Sequence, residues 1–277
     1  MSTLYVVATP IGNLSDLSQR AIETLRTVDR VLAEDTRRSR GLLSHLGISG
    51  KPVQRLDAHA SPAELEAVAR AIAAGESAAL VTDAGAPGVS DPGAGLIRAA
   101  LAAGVSIVPI PGPSAVTTAV SLAEFVSGPF AFLGFVPRQA SKRNELIERL
   151  ARAEEPVVLF ESPERIAATL SELASRLPER RALLCRELTK LHEETLRGTL
   201  RELAALEREW LGEITFVVEG VREDELAARA PSQQAIDQEI GERLAAGEST
   251  RDVADDMASR LGLPRRELYE RALRLKS

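Results

Sequence analysis

The sequence predicts an α/β protein in which the strands of a parallel sheet alternate with helices. Short apolar runs alternate with stretches of helical spacing, and the turns after the apolar runs are rich in glycine and proline. The richest turn, TDAGAPGVSDPG over residues 82–93, is longer than the roughly two to six residues that normally join a strand to a helix. Because glycine permits close backbone approach and proline stiffens the chain, we predict a ligand-binding loop at the carboxyl end of a strand. A stiff structural turn is the alternative.

The first half of the chain contains five predicted strands, each followed by a helix. The strands cover residues 4–8, 30–33, 53–56, 78–81 and 105–110. The helices begin at Ser15 or Asp16, after residues 34–38, after a cap at Ser61, at Ala94 and at about Ser114. Ser90 or Asp91 is suited to cap the helix from Ala94. This alternation indicates a parallel sheet with helices on both faces.

The pattern pauses around residues 122–129 and then restarts, which predicts a second domain. Strands are expected over residues 130–135, 157–160, 182–185, 194–198 and 213–219, with one helix from Ser141 and another that ends at about Leu177. The predicted organisation is therefore an N-terminal α/β domain (1–118), a second α/β domain (119–222) and a helical domain (232–277).

The helical domain is predicted to contain three short helices, over residues 234–246, 250–261 and 264–275. Ser249 or Thr250 is suited to cap the second helix, and Pro264 suits the first turn of the third. Several basic residues lie at the end of the chain: Arg260, Arg265, Arg266, Arg271, Arg274 and Lys276. A small helical unit with a basic last helix is typical of RNA or DNA binding. Acidic residues dilute this charge, so a packing or dimerisation module is the alternative.

Composition narrows the class of protein. With 44% hydrophobic and 27% charged residues the chain is that of an ordinary globular protein, and its net charge of −6 predicts no overall attraction to nucleic acid, although a local basic face would supply one. Cys185 is the single cysteine and is expected to be buried. The histidines show no metal-ligand spacing, so no metal is expected. No apolar run approaches the roughly 18 residues of a membrane helix, and a cytoplasmic location without membrane contact is expected.

Several common sites are excluded by their missing motifs. The sequence contains no GxxxxGK[ST] phosphate loop and no GxSxG nucleophile elbow, and the first turn reads Pro-Ile-Gly-Asn where a dinucleotide site requires GxGxxG. A nucleotide-sized pocket of proline and glycine loops remains. S-adenosylmethionine suits such a pocket, because methyl transfer depends mainly on alignment and desolvation.

Six motifs occur together and in order: Ala8 to Leu14 (ATPIGNL), Ala33 to Arg37 (AEDTR), the central loop from Thr82 to Gly93, Pro111 to Ala115 (PGPSA), Phe160 to Ile166 (FESPERI) and Arg186 to Lys190 (RELTK). With them the chain closely resembles the ribosomal RNA small subunit methyltransferase I family, within the tetrapyrrole methylase superfamily, over roughly residues 4–222. The family usually has histidine where this chain has Glu164. Tetrapyrrole-modifying relatives usually carry Gly-Asp-Pro where this chain has Gly85-Ala86-Pro87, which favours the ribosomal RNA branch.

The resemblance implies a tetrapyrrole-methylase-like fold of two α/β domains with S-adenosylmethionine in the cleft between them, followed by a small C-terminal helical domain. It also implies a homodimer that methylates the 2'-hydroxyl of a cytidine ribose in the decoding region of 16S rRNA, on the 30S subunit. The implied contacts with the methyl donor are Pro10, Gly12, Asp83, Ala86, Val89, Ser114, Ala115 and Phe160.

The catalytic residues predicted for that reaction are Glu34, Glu161 and Lys190. Asp35 and Glu187 are further carboxylates available as bases. The predicted RNA-binding residues are Arg37, Arg138, Lys142, Arg143 and Arg186. Structural ion pairs, Glu34 with Arg37 and Glu187 with Arg186 or Lys190, are an equally open interpretation. Two other functions stay open at this point: methylation of a tetrapyrrole or another small molecule, and a non-enzymatic role as an RNA-binding assembly factor.

Overall fold

The computed structural model describes residues 2–56, 60–89, 93–222, 233–261 and 263–276. The chain forms two compact units, Met1–Gly220 and Val221–Ser277. The first unit contains two sheets. We call each sheet, together with the helices that follow its strands in the sequence, a lobe, and we distinguish the first lobe from the second lobe by their order in the chain.

The first lobe is built on a five-stranded sheet in which every neighbouring pair is parallel. The strand order is β3-β2-β4-β1-β5. Successive residues of β4 alternate between two cores, with Ala78 and Leu80 in one and Ala79 and Val81 in the other. Both faces of the sheet are therefore buried, which explains the continuous apolar run of this strand. The strands are β1 (Thr3–Val7), β2 (Arg30–Ala33), β3 (Val53–Arg55), β4 (Ser77–Val81) and β5 (Ser106–Ile110).

The helices of the first lobe follow the predicted order, with one difference at the start. A 3₁₀ turn covers Leu14–Asp16, and α1 begins only at Gln19, because the side chain of Ser18 caps it by accepting the N–H of Ala21. Ser61 caps α3 as predicted, in a capping box with Glu64. Ser90 and Asp91 lie outside the described residues. The helices are α1 (Gln19–Thr27), α2 (Thr36–His45), α3 (Pro62–Ala73), α4 (Ala94–Ala102) and α5 (Ala115–Leu122).

The second lobe has a mixed sheet of strand order β6-β7-β10-β8-β9. Only β6 and β7 pair in parallel; the other neighbours are antiparallel. The short helix α8, which sequence periodicity missed, starts from a capping box between Thr199 and Glu202. The elements are β6 (Ala131–Phe135), α6 (Ala140–Arg152), β7 (Val157–Glu161), α7 (Pro163–Arg176), β8 (Arg181–Arg186), β9 (Glu194–Thr199), α8 (Leu200–Ala204) and β10 (Ile214–Val218).

The predicted boundary between residues 118 and 119 falls inside α5. In α5, Val116 and Ala119 pack in one core with Val158, Leu183 and Val217 of the second sheet. This helix therefore follows the first sheet in sequence but covers the second sheet in space, and it ties the two lobes together.

The part of the second unit that the structure describes contains three helices, α9 (Gln233–Ala245), α10 (Thr250–Leu261) and α11 (Arg265–Lys276). Ser249 caps α10 by accepting the N–H of Asp252 at 3.1 Å, which confirms one of the two predicted caps. Ile240, Met257 and Leu268 lie fully buried in a small core. Four of the predicted basic residues pair with carboxylates inside the unit, which reduces the positive charge presented to a partner. The pairs are Arg260 with Glu239, Arg265 with Asp255, Arg266 with Glu270, and Arg271 with Asp237 and Glu267.

Candidate active site

A cavity of about 400 Å³ opens between the two lobes of the first unit. It lies beyond the carboxyl ends of β2, β4 and β7, and beside the start of β10, where Ile214 pairs with Glu161. Ligands of α/β proteins bind at this position relative to a sheet. Most of the residues that line the cavity are apolar or small. The lining also includes the carboxylates of Glu34, Asp83, Glu161 and Glu213.

The central loop forms the first-lobe wall of this cavity. Its backbone is fixed to the first loop by two hydrogen bonds, from the Thr9 N–H to the Gly85 carbonyl at 2.8 Å and from the Gly85 N–H to the Thr9 carbonyl at 3.1 Å. Gly85 and Gly88 have φ angles of 82° and 87°, which favour glycine. The hydrogen bonds and the glycine conformations thus fix the backbone of the described part of the loop. Residues 90–92 lie outside the described residues.

Six of the eight residues predicted to contact the methyl donor line the cavity: Asp83, Ala86, Val89, Ser114, Ala115 and Phe160. Pro10 and Gly12 do not line the cavity, but Ile11, which lies between them in the first loop, does. A Cβ on Gly12 would lie 2.8 Å from the Leu188 carbonyl oxygen and 2.7 Å from the Thr189 Oγ1. Gly12 is therefore required for the close contact between the first loop and the second-lobe turn after β8.

Phe135 is an aromatic residue of the cavity that the sequence analysis did not select. It ends β6, it is 57% exposed, and its ring meets that of Phe160 edge to face with centroids 5.3 Å apart. The signal available in the sequence was weak, because Phe135 is only the last apolar residue of a strand before a loop. The pair provides an aromatic edge against which a flat ring can pack.

Glu161 lies at the end of β7 with its side chain fully buried. One carboxylate oxygen accepts the Ser162 N–H at 2.8 Å and pairs with Arg165, while the other accepts the hydroxyl of Thr169 at 2.7 Å. Arg165 in turn donates to the Val136 carbonyl. Both oxygens are occupied, so the geometry favours a role in positioning the wall over the base role predicted for Glu161.

Glu34 and Asp83 stand together on the first-lobe wall. Asp83 accepts the N–H of Asp35 at 3.1 Å and faces the Arg38 guanidinium at 3.5 Å, and Glu34 accepts the hydroxyl of Thr82 at 3.5 Å. Arg38 lines the cavity although it was not predicted to do so. Its position follows from the helix geometry of α2, which places it near the carboxyl end of β4.

Lys190 connects the second-lobe turn to the cavity wall. Its Nζ lies 2.8 Å from the Glu187 Oε1 and 3.2 Å from the Glu213 Oε2, and Glu213 lines the cavity while Lys190 does not. Burial is the largest single influence on both groups, and it acts to raise the pKa of Glu187 and to lower that of Lys190. The hydrogen bonds and charges around the pair together outweigh burial: their mutual hydrogen bond, the Glu213 N–H on Glu187 and the Glu213 carboxylate beside Lys190. The pKa of Glu187 is therefore lowered and that of Lys190 is raised. Lys190 is therefore an ammonium ion at neutral pH.

The turn that carries this pair has an unusual backbone. Glu187 and Thr189 are the non-glycine residues with positive φ among those that the structure describes, at 53° and 67°. Such conformations cost about 1–3 kcal/mol each and occur mainly at functional sites. The turn is held by the Glu187 carboxylate, which accepts the N–H of Glu213 at 2.9 Å, and a Cβ on Gly212 would lie 2.3 Å from that carboxylate.

The predicted RNA-binding residues divide into two groups, and two of them are held by internal partners. Arg143 forms a two-pronged ion pair with Glu172 of α7, which raises the pKa of Arg143. The guanidinium of Arg186 donates to Glu194 at 3.0 Å and to the His192 carbonyl at 3.1 Å.

The other three predicted RNA-binding residues are solvent-facing. Arg37 is 89% exposed and lies 3.4 Å from Asp35, which corrects the expected pair with Glu34. Arg138 and Lys142 are exposed and form no ion pair with any residue that the structure describes. The pair of Glu187 with Lys190, by contrast, is confirmed.

Cys185 is fully buried, as expected, and burial raises the pKa of its thiol to about 12. Within the described ranges, no three His, Cys, Asp or Glu side chains form a group that would hold a metal ion. No helix in the described part of the chain is both long and apolar enough to cross a membrane.

Comparison with known proteins gives consistent matches. The model of the family Tetrapyrrole (Corrin/Porphyrin) Methylases matches residues 3–204. A Synechocystis protein named ribosomal RNA small subunit methyltransferase I is 38% identical over 100% of this chain and 99% of its own length. Its namesake from Xylella fastidiosa is 41% identical over 96% of this chain and 97% of its own length.

Among solved structures, the uroporphyrin-III-C-methyltransferase from Thermus thermophilus superimposes with a TM-score of 0.54 at 20% identity, and the match covers 79% of this chain and 94% of that one. At this identity the likeness concerns the fold alone.

Proposed function

This chain is a methyltransferase of the ribosomal RNA small subunit methyltransferase I family, within the tetrapyrrole methylases, and from that premise we propose that it methylates 16S rRNA. The proposed reaction transfers the methyl group of S-adenosylmethionine to the 2'-hydroxyl of a cytidine ribose in the decoding region. The observation that carries the proposal is the cavity between the lobes, whose lining includes six of the eight residues predicted to contact the donor.

The cavity fits the proposed methyl donor in size and in chemistry. Its volume of about 400 Å³ is within the range of small-molecule sites, and its small residues Ala84, Ala86 and Ala115 leave room for a nucleoside. Phe135 and Phe160 offer an aromatic edge to a purine. The carboxylates of Glu34 and Asp83 complement the positive charge of a sulfonium donor. When bound, S-adenosylmethionine supplies an electrophilic methyl group.

The residues of the chain have three tasks in this reaction. The first-lobe loops orient the donor. A ribose hydroxyl is a weak nucleophile, so a carboxylate must accept its proton as the oxygen attacks. Exposed cations outside the cavity, with Arg37, Arg138 and Lys142 as candidates, hold the RNA phosphates.

The net charge of the chain bears on whether its substrate is free RNA or RNA in the assembled subunit. A chain with a net charge of −6 has little general affinity for RNA, so we propose that shape contacts on an assembled 30S subunit supplement its few exposed cations. A ribosomal substrate also implies a cytoplasmic location. A homodimer, which the resemblance implies, is part of the same proposal.

The test is transfer of a tritiated methyl group from S-adenosylmethionine to 30S subunits from a strain that lacks this methylation, followed by nucleoside mapping. We expect the label in 2'-O-methylcytidine of 16S rRNA. Label in no nucleoside, despite measurable donor binding, would contradict the proposal and redirect the search to small-molecule acceptors.

Two matched variants connect the reaction to the cavity. Ala86→Leu fills part of the lining and is expected to abolish donor binding, which is measured by calorimetry. Ala102→Leu makes the same change on the exposed face of α4 and is expected to bind the donor like the parent chain. Equal donor affinity in both variants would show that the donor binds elsewhere.

A further inference from the structure

Among the residues that the structure describes, four carboxylates line the cavity, and their surroundings differ. Glu161 is fully buried with both oxygens occupied. Asp83 is 26% exposed and accepts the Asp35 N–H beside Arg38. Glu34 is partly buried and hydrogen-bonded to Thr82. Glu213, at 66% exposure, presents the most accessible carboxylate of the four.

The backbone of Glu213 is fixed on both sides. Its N–H donates to the Glu187 carboxylate at 2.9 Å, and its carbonyl accepts the Glu187 N–H at 2.9 Å. Its side chain is also held from one side, by the Lys190 ammonium at 3.2 Å from Oε2. One carboxylate oxygen is thus anchored, and no hydrogen bond occupies Oε1 among the residues that the structure describes. This is the arrangement of a base that is positioned but still accessible.

We propose that Glu213 is the catalytic base of the methyl transfer and that Lys190 is its positioning residue. This inference rests on the proposed function and assigns the acceptor side of the same site. Lys190 was predicted as catalytic; as an ammonium ion held by two carboxylates it has no lone pair with which to accept a proton, so its contribution acts through Glu213.

The step balances without another reactant. As the ribose oxygen attacks, its proton passes to the Glu213 carboxylate. The oxygen lone pair forms the new O–C bond to the methyl carbon, and the electron pair of the broken C–S bond returns to the donor sulfur. The neutral Glu213 then releases its proton to solvent, to which its side chain is open.

The experiment compares Glu213→Gln with Glu209→Gln in single-turnover methyl transfer to 30S subunits. The amide keeps the size of the side chain and accepts from Lys190 but takes up no proton, so we expect the rate of Glu213→Gln to fall by about 10²- to 10⁴-fold. Glu209 is exposed in the same loop outside the cavity, and its variant should react like the parent. Donor affinity, measured by calorimetry, should stay unchanged in both.

Chemical rescue separates a base from a merely structural residue. In Glu213→Ala, added formate is expected to restore transfer in proportion to its concentration, whereas chloride at equal ionic strength restores none. A Glu213→Gln rate within about threefold of the parent, or a loss that formate does not restore, overturns the inference. Lack of transfer by the parent chain instead overturns the proposed function, so the two failures are distinguishable.

Discussion

The two walls of the cavity are built by different means. The first-lobe wall is shaped by backbone: the central loop pairs with the first loop through the mutual hydrogen bonds of Thr9 and Gly85. The second-lobe wall is shaped by ionic side chains, with Glu161 held by Arg165 and Glu213 held by Lys190. Backbone hydrogen bonds fix the shape of the surface that a ligand contacts, whereas ion pairs fix the positions of charged groups beside the reacting atoms.

The largest expected effect comes from breaking the buried ion pair of the second-lobe wall. Glu161→Ala leaves Arg165 and the hydroxyl of Thr169 without their carboxylate, so the free energy of unfolding is expected to fall by about 3–5 kcal/mol. Glu164→Ala, an exposed change in the first turn of α7, serves as the control and should leave it unchanged. Urea unfolding measures both, and similar curves for the two variants would show that the wall does not depend on this pair.

The next effect concerns the contact between the two kinds of wall. In Gly12→Ala the new Cβ meets the Leu188 carbonyl oxygen at 2.8 Å, and moving that backbone is expected to cost about 1–3 kcal/mol of unfolding free energy. Gly41→Ala is the opposite control. It lies exposed inside α2 with no neighbour near its Cβ, so it should stabilise the chain by about 0.5–1 kcal/mol. Changes of the same sign would contradict this account of Gly12.

A smaller effect, with a defined pH dependence, comes from Lys190→Met. Removing the ammonium leaves Glu187 partly buried without its main partner, at an expected cost of about 1 kcal/mol at pH 7. The lowered pKa of Glu187 makes its contribution complete above the ordinary value of 4.5, and the contribution is lost as the pH falls through the lowered value. The raised pKa of Lys190 preserves its own contribution up to at least its ordinary value of 10.5.

The difference between the parent and Lys190→Met should therefore be complete at pH 7 and smaller at about pH 3. Urea unfolding at the two pH values measures it, with Lys142→Met as an exposed control that should differ from the parent at neither. A difference of equal size at the two pH values would assign the effect to packing of the lysine stem.

The contrast between the walls also shows which features can be predicted from the sequence. The tetrapyrrole-methylase-like fold is confirmed. Six of the donor contacts that the family resemblance implied line the cavity, and five of them lie in the glycine and proline loops, whose turn geometry is local and is encoded in adjacent residues. Ion pairing is not local. Glu213 lies 23 residues from Lys190 and Glu172 lies 29 residues from Arg143, so only the folded chain shows that Glu213 reaches the cavity and that Arg143 is held internally.

The position of α5 has the same explanation. Its sequence continues the regular alternation of the first lobe, so the predicted boundary between residues 118 and 119 treated it as the end of that pattern. Its apolar face matches the second sheet instead, through Val116 and Ala119. Helical spacing predicts that a face is buried, but it does not predict which sheet buries it.

The smallest effect on folding is expected outside the cavity, where exposed cations were predicted to hold RNA. Arg138→Ala and Lys142→Ala should leave the melting temperature unchanged, because neither side chain pairs with a residue that the structure describes. If the two side chains contact phosphates, each change should make the slope of the logarithm of the association constant for 30S subunits, plotted against the logarithm of the salt concentration, less negative by about 0.7–0.9. Arg143→Ala is the matched contrast in the same segment: it removes the partner of Glu172, so it should lower the melting temperature and leave the salt slope unaltered. A salt slope that changes with Arg143 but not with Arg138 or Lys142 would mean that the internal pair opens on binding, and it would reverse the assignment of structural and RNA-binding cations in this loop and helix.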